Sequence, residues 1–309
     1  MTRVAAIDCG TNSVRLLIAD IEGGGDGGTL TDVERRMEIV RLGEGVDRTG
    51  RLSPAALERT FTAMRGYAEL ITRHGAVSTR VVATSATRDA ANRDDFVRGV
   101  VEIFGVQPEV VTGDAEAALS FTGATRELAE LAPPGPYLVV DIGGGSTEFV
   151  LGSASVRSAL SVNIGCVRMT ERHLRGDPPT PDQITAAAAD IDAALDEVRA
   201  AVPVDEARTL VGLAGSVTTV AGIALDLPAY DSGRIHLSRI TAPQVHDVTR
   251  DLLHATRETR AKIPVMHPGR IDVIGAGALI LDRIMREYHF GAVVVSEHDI
   301  LDGIAWSQV

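Results

Sequence analysis

Residues 8–15 read Asp8-Cys9-Gly10-Thr11-Asn12-Ser13-Val14-Arg15, and residues 141–148 read Asp141-Ile142-Gly143-Gly144-Gly145-Ser146-Thr147-Glu148. Aspartate, glycine and serine coincide at one constant offset of 133 residues, 141 minus 8. Each stretch follows an apolar strand, Val4–Asp8 or Tyr137–Asp141, and precedes a second one. Each therefore predicts a hairpin whose tip can present backbone N–H groups to an anion. Glycine suits such a tip because a side chain would block the approach, and Ser13 and Ser146 add hydroxyl donors. One aspartate per loop can hold a hydrated divalent cation. A lone Gly-Gly-Gly is more often an ordinary tight turn. Two loops with matched aspartates point instead to a duplicated phosphate grip.

Working outward from the first loop, the sequence predicts a strand over Val14–Ile21, a soft loop Gly23–Gly28 and a third strand near Glu38–Leu42. Ser53-Pro54 is a serine N-cap followed by proline at the first helical position. It opens a helix whose apolar residues Leu57, Phe61, Met64, Ala68 and Ile71 recur at helical spacing. A strand at Arg80–Ala83, a turn Thr84–Asp89, a helix through Phe96 and Val100, a strand Glu109–Val111 and a helix from Asp114 come next. From there the alternation of helix and strand predicts a largely parallel sheet. Ala-Pro-Pro-Gly-Pro at 132–136 is a stiff break and a candidate lobe boundary. Beyond the second loop lie a proline-rich surface loop, Asp177–Pro181, and an alanine-rich helix to about Ala201. Strand-turn-helix at 209–225, one amphipathic helix at 270–287, a strand Ala292–Ser296 and a short helix from Asp299 complete the reading.

Composition narrows the function. At 309 residues the chain is long enough for two cores. A net charge of −12 argues against a generic nucleic-acid binder, which needs a broad cationic surface. Any polyanion must be met locally by arginine, because Lys262 is the only lysine and sits in Ala-Lys-Ile-Pro, outside any GxxxxGK[ST] loop. No apolar run reaches membrane-spanning length and the N-terminus lacks a signal core, so no membrane partner and a cytoplasmic location are expected. Cys9 and Cys166, each beside a glycine, fit neither a disulfide framework nor a metal spacing and read as buried thiols.

The repeated strand-Asp-x-Gly pattern resembles the actin, sugar-kinase and chaperone-ATPase superfamily. That likeness implies an α/β fold of two lobes, a duplicated ribonuclease H-like, actin-like architecture with an interlobe cleft. The implied lobes are 1–127, joined by the C-terminal helix 299–309, and 128–298. Ala-Ile-Asp-Cys-Gly-Thr-Asn-Ser, Val-Ala-Thr-Ser-Ala-Thr-Arg-Asp (82–89), Thr-Gly-Asp-Ala-Glu-Ala (112–117), Val-Asp-Ile-Gly-Gly-Gly-Ser-Thr-Glu (140–148) and Ile-Gly-Cys-Val-Arg-Met-Thr-Glu (164–171) narrow it further. In order they resemble the motifs of the exopolyphosphatase and guanosine pentaphosphate phosphohydrolase (Ppx/GppA) family. The likeness runs on through Gly212–Ser216 and Pro268-Gly269-Arg270 to Ser296-Glu297, so it covers essentially the whole chain.

The resemblance implies an Mg2+-dependent hydrolase that releases terminal phosphate from inorganic polyphosphate, guanosine pentaphosphate or both. Glu116 matches the general base, and Asp141 and Glu148 the other catalytic carboxylates, which would also hold the metal. Asp8, Gly10, Thr11, Asn12, Ser13, Arg15, Arg88, Gly143, Gly144, Gly145, Ser146, Thr147 and Arg270 fall at phosphate-binding positions, with Arg270 near that associated with guanosine polyphosphate. Homodimerisation is implied as well. Many members carry Glu-Glu-Ala-Arg around the base, whereas this chain has Asp114-Ala115-Glu116-Ala117-Ala118. That difference motivates a rival reading, a guanosine tetraphosphate or polyphosphate sensor with little turnover; a kinase of the same superfamily ranks lower. Longer members also carry further C-terminal helical domains, which makes short chains the expected substrate. Three other features read as structural: Gly275-Ala276-Gly277 as helix packing, His246-Asp247 as incidental, and His298-Asp299 as a helix start.

Overall fold

The computed structural model describes residues 1–23, 28–131 and 134–309. The chain divides into two compact units, Met1–Arg126 with Asp299–Val309, and Glu127–His298. The proline-rich break at 132–136 lies partly outside the described residues, as does most of the Gly23–Gly28 loop. The division between the units falls upstream of that break, within the helix Gly113–Leu131.

Unit 1 is built on a five-stranded sheet in the order β3-β2-β1-β4-β5. Its strands are β1 (Thr2–Cys9), β2 (Ser13–Glu22), β3 (Thr29–Ile39), β4 (Ser78–Ala83) and β5 (Glu109–Val110). The first three are antiparallel, and β4 and β5 run parallel to β1. β1 is apolar on both faces because both are covered. Ala5, Ile7 and Cys9 pack with Val14, Leu16 and Ile18 beneath α2 (Pro54–His74) and α4 (Arg93–Phe104). Val4, Ala6, Leu17 and Ala19 pack with Ile300, Leu301 and Ile304 of α13 (Ile300–Trp306). α13 also meets α5 (Gly113–Leu131) backbone to backbone. A Cβ on Gly123 would lie 1.8 Å from the Asp299 carbonyl oxygen, and one on Gly303 2.0 Å from that of Leu119. α2 begins as its sequence predicts, with the Ser53 hydroxyl accepting from the Ala56 N–H at 3.2 Å.

Unit 2 repeats the plan. Its sheet runs β10-β11-β9-β6-β7-β8. The strands are β6 (Tyr137–Ile142), β7 (Thr147–Gly152), β8 (Val156–Val162), β9 (Thr209–Leu213), β10 (Arg239–Thr241) and β11 (Ala292–Val295). β6, β7 and β8 are antiparallel, and β9 and β11 follow in parallel order. β6, β7, β8, β9 and β11 therefore correspond to β1 through β5, with β10 added at the edge. Its core joins this sheet to α6 (Cys166–Arg172), α7 (Pro181–Ala201), α8 (Ala214–Ala224), α10 (Ala242–His254) and α12 (Ile274–Glu287).

Three expectations need correction. The third strand is Thr29–Ile39, not 38–42, because the charged run Asp32–Glu38 still pairs along β2 as a sheet edge, where only one face needs apolar residues. Both sheets are mixed, because each half opens with hairpins and only later strands arrive by helical crossovers. The amphipathic segment 270–287 is a 3-10 turn, Pro268–Arg270, followed by α12 from Ile274. Cys9 and Cys166 are free and buried, and burial pushes both thiols up. Among the described residues no helix is long and apolar enough to cross a membrane.

Candidate active-site loops

In unit 1 the loop Gly10–Asn12 closes the β1–β2 hairpin, with the Gly10 N–H donating to the Ser13 carbonyl at 3.0 Å. The carbonyls of Thr11 and Asn12 are occupied. Asn12 accepts from the Val40 and Arg41 N–H groups, and Thr11 from that of Gly43 at 2.8 Å, while the Thr11 hydroxyl shares a hydrogen bond of 2.9 Å with Ser85. Asp8 and Arg15 are cross-strand partners. Arg15 donates through Nε and Nη2 to Asp8 Oδ2 at 2.9 and 2.8 Å, and through Nη1 to Asp299 Oδ2. Asp299 is also the N-cap of α13, its Oδ1 accepting from the Leu301 N–H at 3.0 Å.

One guanidinium lies between two buried carboxylates, and Arg35 acts on Asp299 as a second positive charge. Asp8 is 4% exposed, and its Oδ1 has no hydrogen-bond partner among the described residues. Burial pushes the Asp8 carboxyl up against the opposing pull of Arg15. Asp299 suffers the same desolvation, yet Arg15 and the Leu301 N–H outweigh it and hold that carboxyl below its usual range. Nearby, Arg88 on α3 (Ser85–Asp89) donates through Nη1 to Glu116 Oε2 at 2.9 Å and to the Val111 carbonyl at 3.0 Å. Glu116 is buried in the first turn of α5, where the helix dipole favours a carboxylate.

Unit 2 builds the matching loop, Gly143–Ser146, between β6 and β7, with the Gly143 N–H donating to the Ser146 carbonyl at 3.1 Å. The start of α6 takes up its carbonyls. The Cys166 N–H donates to Gly143, those of Val167 and Arg168 donate to Gly144, and Arg168 Nε donates to Gly145 at 2.7 Å. The N–H groups of Gly144 and Gly145 donate to no acceptor among the described residues, so they are the donors this loop can offer an anion. α6 reaches the loop only because Gly165 has no side chain: a Cβ there would lie 2.3 Å from the Gly144 carbonyl carbon.

Asp141 and Glu148 are cross-strand partners in β6 and β7, both buried. Glu148 Oε1 accepts from the Ser146 and Ser161 hydroxyls, each at 2.7 Å. The Thr147 hydroxyl is turned to the Ile164 carbonyl. The hydroxyls of Ser146 and Thr147 thus serve Glu148 and the fold. Arg270 packs on α8 and acts electrostatically on Cys166, whose N–H donates to the Gly143 carbonyl. Its guanidinium covers Gly215 so closely that a Cβ there would be 2.0 Å from Nη2, and Nη1 donates to Thr219 Oγ1 at 3.2 Å.

The structure therefore joins Asp8 with Arg15, Arg88 with Glu116, and Asp141 with Glu148 and Ser146. Asp299, Ser161, Gly165 and Arg168 were not singled out from sequence. Asp299 was visible only as a helix start, and Arg168 only as a letter of the Ile-Gly-Cys-Val-Arg stretch. Ser161 carried no signal, because its place beside Glu148 depends on the register of β8.

These two sheets and their loops define a duplicated α/β enzyme fold of the actin-like, ribonuclease H-like kind, and comparison with known proteins agrees. A solved exopolyphosphatase-like protein superposes with a TM-score of 0.94 at 43% identity, covering 99% of this chain and 98% of that one. The Aquifex aeolicus PPX-GPPA enzyme superposes at 0.81 with 32% identity, covering 99% of each chain. Exopolyphosphatase 2 of Mycobacterium tuberculosis is 50% identical over 99% of this chain and 98% of its own length. The model of the Ppx/GppA phosphatase family matches residues 17–309. The chain belongs to the Ppx/GppA phosphatase family and is by class a phosphoanhydride hydrolase.

Proposed function

We propose that this chain hydrolyses the terminal phosphoanhydride of inorganic polyphosphate, short chains first, with guanosine pentaphosphate as the other candidate substrate. The observation that carries this reading is the buried Asp141–Glu148 pair on adjacent strands, next to a glycine loop with uncommitted N–H donors. The hard oxygens of two neighbouring carboxylates fit Mg2+. Among the described residues no group of three or more His, Cys, Asp or Glu could hold a metal. Water and substrate phosphates would complete the shell, as Mg2+ prefers. When bound, Mg2+ supplies charge neutralisation on the phosphate oxygens.

The protein's own groups do the rest. Glu116 takes a proton from the attacking water, and Arg88 holds that carboxylate in one orientation. The Gly144 and Gly145 N–H groups bind phosphate oxygens, and Arg270 adds a positive charge. Arg15 acts on phosphate through Asp8 and the shape of the first loop, since its guanidinium is engaged by Asp8 and Asp299. By the same reading the protein is a cytoplasmic homodimer, and sedimentation at micromolar concentration tests the dimer.

Purified protein given Mg2+ and polyphosphates of graded length, with guanosine pentaphosphate alongside, is expected to release orthophosphate. Glu116→Gln should slow release by about 10²–10⁴-fold. Full activity in that variant would remove Glu116 from the mechanism. Calorimetric binding without any release over hours would make the protein a sensor instead.

A further inference from the structure

We infer that Ser161 is a positioning residue for the metal-binding carboxylate Glu148. Asp141, Glu148 and Ser161 stand in register on β6, β7 and β8, so their side chains share one face of the sheet in a single row. The Ser161 hydroxyl donates to Glu148 Oε1 at 2.7 Å, and the Ser146 hydroxyl donates to the same atom at the same distance. A hydroxyl carries one proton, so both are spent on that oxygen. Two donors on Oε1 fix the rotation of the carboxylate and steer cation binding, and they stabilise its charged form while Asp141 stands beside it. Ser146 reaches Glu148 along its own strand, from two residues away, whereas Ser161 reaches it across the sheet. The orientation of Glu148 therefore depends on the β7–β8 pairing as well as on the loop.

The corresponding row in unit 1 shows what the serine is for. There Asp8 is followed by Arg15 and then by Met37, the β3 partner of Arg15. An arginine already held by two carboxylates needs no donor beside it, and a thioether supplies none. Where the middle residue is a glutamate, the third position is a hydroxyl.

This inference rests on the proposal that Asp141 and Glu148 hold the cation. Ser161→Thr and Ser161→Val form a shape-matched pair that differs only in the hydroxyl, and both suit a strand, so each variant should fold. Mn2+ binding to the full chain is read by electron paramagnetic resonance in the absence of substrate, and the half-saturating Mg2+ for phosphate release is read separately. Loss of such an outer partner typically weakens metal binding about 10–100-fold. Ser161→Val should fall in that range, with Ser161→Thr close to the parent and kcat at saturating Mg2+ little changed. Glu148→Gln is the control. If Glu148→Gln loses Mn2+ while Ser161→Val binds it as the parent does, the role of Ser161 is overturned and the metal pair stands. If Glu148→Gln itself binds Mn2+ as the parent does, the metal pair falls and takes the role of Ser161 with it.

Discussion

The first and second loops share a backbone plan and differ in the charge of one row of side chains. In unit 1 the row is Asp8, Arg15 and Met37; in unit 2 it is Asp141, Glu148 and Ser161. In the first row Arg15 bridges Asp8 to Asp299, the cap of α13. The second row concentrates negative charge and offers hydroxyls to steady it. The shared strand order thus yields one loop closed by an ion pair and one flanked by two buried carboxylates. The difference lies in two cross-strand positions, Arg15 against Glu148 and Met37 against Ser161.

The most severe way to break this contrast is to write the second row into the first. Arg15→Glu would place three carboxylates together and remove the guanidinium that joins Asp8 to Asp299. Removing one partner of a buried pair costs about 3–5 kcal/mol, and this change should exceed that. Urea unfolding should show unit 1 lost or the whole chain insoluble. Next in size, Glu148→Gln should cut orthophosphate release by on the order of 10²–10³-fold, as for loss of one transition-state-stabilising group. Its melting temperature without metal should stay the same or rise, because the repulsion from Asp141 is gone.

Asp299→Asn should cost about 1–2 kcal/mol, since asparagine still caps the helix but no longer pairs as a charge with Arg15. Here the sign of the pH dependence is informative. The Asp299 carboxyl is held below its ordinary value, so its stabilisation is present above the ordinary carboxylate range and is lost as pH falls through the depressed value. Urea midpoints measured against pH should show a shallower acid limb in Asp299→Asn. The smallest effect is the opposite slope at Asp8. That carboxyl is raised, so its contribution is complete below the ordinary carboxylate range and is lost as pH climbs through the raised value. Asp8→Asn should flatten the curve in that window.

The duplicated fold was legible because its signals are local. An apolar strand, a glycine turn and a second strand lie within about fifteen residues at Val4–Ile18 and again at Tyr137–Val150. The capped helix at Pro54 and the alanine-rich helix ending at Ala201 were legible for the same reason. The charged strand β3 was not, because an edge strand half open to water need not alternate cleanly. Nor was the break before Ile274, where helical periodicity continues through a turn that is not helical.

Some site features depend on contacts that sequence spacing cannot show. Asp8 and Arg15 are seven residues apart, and a hairpin must pair them. Arg15 and Asp299 are separated by 284 residues, and only the packing of α13 against β1 and β2 brings them together. Arg168 and Gly165 matter because α6 folds back onto the glycine loop, which leaves the loop amides as its free donors.

By itself the amino-acid sequence determined that the protein is an α/β duplication with one glycine hairpin opening each half, and that its family is Ppx/GppA. Short-range hydrogen bonding and hydrophobic alternation need only neighbouring residues to act. Tertiary structure alone decided that Arg15 is neutralised by two carboxylates and that Ser161 stands beside Glu148. Strand register and helix docking set those partners, and a shift of one residue in β8 would turn Ser161 to the other face of the sheet.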